Sequence, residues 1–77
     1  MQERKVKQYL TNEMELKAEC VRKGISQKEL ASKLGIDTVT LYRRFKGESD
    51  FSRSELQMIR SILGLSDERF IEIFFTA

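Results

Sequence analysis

Histidine is absent from this 77-residue chain and cysteine occurs once. The first absence removes Cys/His zinc sites, imidazole acid/base chemistry and Ser-His-Asp triads. The second removes an internal disulfide, and Cys20 falls where a helix places a small core residue. There is no Gly-rich phosphate loop and no pair of carboxylates framing an evident pocket, so a non-enzymatic role is expected, with no metal and no cofactor. No apolar run is long enough to cross a bilayer, and Met1 to Tyr9 is charged where a signal peptide needs an apolar core. A cytoplasmic protein with no membrane partner is the expectation.

What is present suits a small folded domain: 40% of the residues are hydrophobic and 34% charged. Seventy-seven residues allow one core, so residues 1–77 are expected to form a single domain, with residues 1–11 a flexible or helical extension. Arg4, Lys5 and Lys7 in that extension are either an arm that reaches along a partner or part of an ordinary frayed or helical start. The net charge is only +2, but its distribution is uneven. Cys20 to Arg60 holds nine Lys/Arg against five Asp/Glu, whereas Met1 to Glu19 sums to zero and Ser61 to Ala77 to −2. The middle carries a modest basic footprint, well short of chains that bind phosphate without regard to sequence.

Proline is missing too, and the four glycines carry the punctuation. Three of them open the same short phrase: Gly24-Ile25-Ser26, Gly35-Ile36-Asp37 and Gly64-Leu65-Ser66. In each, glycine closes one helix, an apolar residue folds back on it, and Ser or Asp caps the next. Ser26 with Glu29 and Ser52 with Glu55 have the capping-box spacing. Ile25 with Leu30, Ile36 with Leu41, Phe51 with Leu56 and Leu65 with Phe70 have that of the hydrophobic staple. The spacing predicts helices over Gln27–Leu34, Thr38–Lys46, Arg53–Leu63 and Asp67–Phe75, with a longer loop at Gly47–Phe51. A first helix is expected up to Gly24, with Met14, Leu16, Ala18 and Val21 as its apolar positions; it starts either at an Asn12 cap or earlier, as Leu10 and Val6 permit. No segment alternates as a strand does, so the fold class is all-α with five short helices.

The most specific run is Ser26-Gln27-Lys28-Glu29-Leu30-Ala31-Ser32-Lys33-Leu34-Gly35-Ile36-Asp37, followed by Thr38 to Gly47. Leu30 and Leu34 lie on one face at i and i+4, Ala31 is small where helices cross closely, and Gly35 permits a sharp turn. Ile36, Leu41 and Phe45 continue the apolar face into the third helix. Its other face is left with Thr38, Val39, Tyr42, Arg43 and Lys46, an unusual mixture of a β-branched apolar residue, an aromatic and cations.

Gln27, Leu30-Ala31, Leu34-Gly35-Ile36, Asp37 and the Lys46-Gly47 ending resemble the phage repressor and Cro-type (XRE-like) helix-turn-helix family of transcriptional regulators. The resemblance implies a compact five-helix, lambda-repressor-like domain whose helix-turn-helix is made by helices two and three. It implies double-stranded operator DNA as partner, with the third helix in the major groove. Carried over residue by residue, it makes Thr38, Val39, Tyr42 and Arg43 the candidates for base edges. Gln27, at a helix N-terminus, is the candidate phosphate clamp. Lys28, Arg44, Lys46 and Arg53 join it as candidate phosphate contacts. The chain departs from the pattern in one place: Arg44 stands where the family usually has a large apolar residue, and Phe45 where it has a polar one. Leu41 and Phe45 still form an i, i+4 pair, so the inward face is expected to shift by one position.

Proteins of this type bind as symmetric dimers, and the apolar end Phe70 to Phe75 offers the surface. Phe70, Ile73 and Phe74 share one face, leaving Ile71 and Phe75 either as further core cover or as a homodimer interface. A second functional class stays open at this point: an antirepressor or antitoxin-like interaction module on the same fold without DNA binding, compatible with the low net charge and with Asp37, Glu48 and Asp50 near the basic side.

Overall fold

Each helix begins on a side-chain oxygen. The computed structural model describes residues 11–75, where α1 (Glu13–Arg22), α2 (Gln27–Leu34), α3 (Thr38–Phe45), α4 (Arg53–Leu63) and α5 (Asp67–Phe74) follow one another. Asn12, Ser26, Asp37, Ser52 and Ser66 each accept from the backbone N–H three residues on, satisfying one of the amides that a helix start leaves without a partner. The boxes at Ser26 and Ser52 are complete, with Glu29 and Glu55 accepting in return from the cap N–H. Gly35 and Gly64 end α2 and α4 at φ 75° and 62°, the left-handed conformation that a side chain disfavours. α3 and α5 end at Phe45 and Phe74, each one residue short of the end expected, with Lys46 and Phe75 as their C-caps.

The core follows from the shared faces of these helices. Leu16, Leu30, Leu41, Phe45, Ile59, Leu63 and Ile73 are fully buried. α2 packs against α3 and α4, while α1 packs against α5. Phe45 lies inward on α3, as the i, i+4 pair with Leu41 requires, so the family's usual inward position is displaced by one. Phe51, in the loop before α4, links α3 to α5: its ring stands 6.4 Å from that of Phe45 and 5.6 Å from that of Phe74.

One expectation for α1 is corrected. Met14 and Val21 are 77% and 80% exposed, and the buried stripe is Leu16, Glu19 and Cys20. The stripe at i, i+3 and i+4 from Leu16 faces the core and leaves Met14 and Val21 on other sides of the helix. A carboxylate fits in that stripe because Arg69 and Arg22 both donate to it. Cys20 is buried as expected, and burial, helped by the Glu19 charge, pushes its thiol above the ordinary value. Among the described residues no helix is long and apolar enough to cross a membrane. Arg4, Lys5 and Lys7, the candidate arm, lie outside the described residues.

Candidate nucleic-acid interface

α3 divides into two faces. Leu41 and Phe45 are each 1% exposed, while Thr38, Val39, Tyr42 and Arg43 are exposed, Val39 at 57% and Tyr42 at 50%. At 100° per residue, Thr38 with Tyr42 and Val39 with Arg43 are i, i+4 pairs, so the four candidates form one contiguous surface. The Asp37 cap fixes where that surface starts. Its carboxylate accepts from the Thr40 N–H at 2.7 Å, and the Thr40 backbone and side chain hold it below its ordinary 3.8. At the other end, the Lys46 ammonium sits 5.0 Å from the centroid of the Tyr42 ring, a cation–π distance. The Tyr42 side chain, with Glu13 and Glu48, keeps Lys46 above its ordinary 10.5, so it stays charged at neutral pH.

Gln27 and Lys28 are the first two residues of α2 and both are exposed. Their own amides belong to the helix start, where partial positive charge favours an anion. Arg53 is the first residue of α4 and is also exposed. Arg44 differs from all of these. Its Nη1 donates to Glu55 Oε1, its side chain is only 20% exposed, and its Nε is buried without a partner. Glu55 is itself 14% exposed and accepts from the Ser52 N–H at 2.9 Å with the same oxygen. Burial alone would raise the Glu55 carboxyl, but the Ser52 amide and the Arg44 guanidinium outweigh it and hold it below 4.5.

The two helices and the turn between them are the arrangement that gives one motif its name. A family model described as helix-turn-helix matches residues 16–70, from α1 into α5. This chain belongs to the helix-turn-helix family of the Cro and C1 type. The helix-turn-helix proteins of this type are DNA-binding transcription regulators, and that coarse function holds for this chain. Neither a curated protein nor a solved structure matches it.

In this helix-turn-helix protein the sequence pattern placed the candidate base-reading residues on one surface and the phosphate candidates at three separate helix ends. It missed Glu55 as the partner of Arg44. The signal was present, since a cation in an apolar slot calls for an acid and Glu55 was already marked by the capping box. It also missed the Tyr42 and Lys46 pairing, which i, i+4 spacing allows. Ile71 on α5 and Phe75 just past its end are 56% and 41% exposed, while Ile73 and Phe74 are buried. An open depression of about 430 Å³ beside them is lined by Asn12, Glu15, Arg69 and Glu72.

Proposed function

We propose that this protein is a sequence-specific transcription regulator, a phage-type repressor or Cro-like protein, that lays α3 in the major groove of an operator and acts by occupying it. The observation that carries the reading is the division of α3, one face wholly buried and the other presenting Thr38, Val39, Tyr42 and Arg43 together. Arg43 suits guanine O6 and N7 as a bidentate donor, and Val39 or Thr38 suits a thymine methyl. Tyr42 offers a ring and a hydroxyl, with Lys46 against the ring.

Gln27, Lys28, Lys46 and Arg53 form the phosphate set that orients the protein on the duplex. Arg44 is left out of it, because its guanidinium is committed to Glu55. Ile71 and Phe75 supply the contact between two copies, which would read half-sites roughly 34 Å apart.

The test separates reading from mere attraction. Arg43→Ala is expected to cost about 1–3 kcal/mol on the preferred duplex and to relax the preference at one position. Lys28→Ala is expected to weaken binding uniformly and to lower the salt slope by about 0.9. If Arg43→Ala leaves both affinity and preference unchanged, α3 does not read bases, and an interaction module on the same fold takes the place of this reading.

A further inference from the structure

Of the two side chains that depart from the family pattern, the polar one lies between the exposed face of α3 and the core. Arg44 is flanked by Arg43, on the exposed face of α3, and by Phe45, in the core. It is the only polar residue of the three that is both charged and mostly covered. Its Nη1 donates to Glu55 Oε1, and the same oxygen closes the α4 capping box on the Ser52 N–H. The ion pair therefore spans the loop from Gly47 to Phe51 and fastens the last turn of α3 to the first turn of α4. Phe45 against Phe51 makes a second fastening on the core side. Beside the inward packing of Leu41 and Phe45, an attachment about 100° further around the helix axis adds resistance to its rotation.

The magnitude explains why this matters. A roll of α3 by about 20° carries a side chain at the helix's outer radius of about 5–6 Å through roughly 2 Å. A bidentate hydrogen bond to a base edge is lost over a smaller displacement, since its donor–acceptor distance is useful only between about 2.7 and 3.2 Å. A phosphate contact made by a long, exposed lysine adapts to such a shift; a base contact does not.

We propose that Arg44 is a positioning residue for base recognition: held by Glu55, it fixes the roll of α3 and so the aim of Arg43 and Val39, and it does not itself touch DNA. The inference rests on the reading of α3 as the recognition helix. A phosphate placed on Arg44 would meet the Glu55 carboxylate beside it, and the pair is close to electrically neutral as a unit.

The pair gives a test in which positioning and electrostatics pull in opposite directions. Glu55→Gln keeps the capping box, because glutamine accepts from the cap N–H as glutamate does; it removes one negative charge, so the shared oxygen holds Arg44 without charge assistance. The full-length variant is compared with the wild type on the duplex that the wild type enriches most from a random library, and on a scrambled duplex of the same composition. Positioning predicts about a tenfold loss on the preferred duplex with equal or tighter binding to the scrambled one. It also predicts that the backbone amide resonances of Thr38 to Arg43 shift in the free variant, and that Arg44→Met combined with Glu55→Gln is no weaker than Arg44→Met alone.

Several results overturn it. Binding of both Glu55→Gln and Arg44→Met to the preferred duplex as tight as wild type shows that the pair does not aim α3. A loss in Arg44→Met that is equal on both duplexes, with the salt slope lower by about 0.9, makes Arg44 a phosphate contact instead. Should Arg44→Met fail to fold, Glu55→Gln alone carries the comparison. Unmoved α3 amides in both Glu55→Gln and Arg44→Met defeat the positioning role even while Arg43→Ala alters sequence preference. Unaltered preference in Arg43→Ala defeats the recognition reading and this inference with it.

Discussion

Arg69 Nε donates to Glu19 Oε2 at 2.5 Å, joining residues 50 positions apart in the chain and closing α5 onto α1. The same guanidinium reaches Glu15 at 2.7 Å and Glu72 at 3.1 Å, and Arg22 adds a second donor to Glu19 at 2.7 Å. Glu19 is 4% exposed, so its charge stays in the fold only because these cations surround it. The three carboxylates in turn hold Arg69 protonated more firmly than an ordinary arginine.

Arg69→Met is therefore expected to destabilise the protein by about 2 kcal/mol, below the full cost of stranding a buried charge because Arg22 remains. In a domain of this size that lowers Tm by roughly 8–16 °C, read by circular dichroism. An unchanged Tm would mean that the cluster is decorative.

The pH dependence follows from the same groups. Burial would raise the Glu19 carboxyl, but hydrogen bonding from Arg69 and the charges of Arg22, Arg69 and Lys23 hold it below 4.5, and Glu55 is lowered as well. A carboxyl whose folded value is depressed binds its proton more readily in the unfolded chain, so it contributes stability above the unfolded value and loses it as pH falls. The urea midpoint should stay level from neutral pH to about 5 and then decline through the carboxylate range. In Arg69→Met that decline should be shallower. A midpoint that rises below 4.5 would contradict the assignment.

Local chemistry gives two further expectations. Ser52→Ala removes the oxygen that accepts from the Glu55 N–H and should cost about 1 kcal/mol. Gly35→Ala meets no atom within 4 Å, so its cost is conformational alone, about 1–2 kcal/mol for a side chain at φ 75°. Both are read from urea denaturation, and a neutral Gly35→Ala would mean that the α2–α3 turn relaxes to another conformation.

Helix ends were legible in the sequence because each is decided within four residues: Ser26 with Glu29 and Ser52 with Glu55 need no tertiary partner to form their boxes. The shifted inward face of α3 was legible for the same reason, since Leu41 and Phe45 fix it between themselves. What escaped was settled at a distance. Met14 and Val21 looked like core residues until Glu19 took the inward position, which it holds with Arg22 beside it and Arg69 arriving from α5. Arg44 looked like one more surface cation until the loop returned Glu55 to its side.

The proposed contact between two copies also has a direct check. Phe75 is 41% exposed beside Ile71 at 56%, and Phe75→Asp would place a charge in an apolar interface. Sedimentation in the micromolar range is expected to show a dimer for the parent and half that mass for the variant. Equal masses would remove Phe75 from the interface.

The central claim is that the exposed face of α3 reads DNA sequence. It is tested most directly by selecting a random duplex library on the purified protein at physiological salt and sequencing what is retained. Enrichment of two related half-sites in two-fold arrangement is the predicted result, and a retained pool indistinguishable from the input would contradict it.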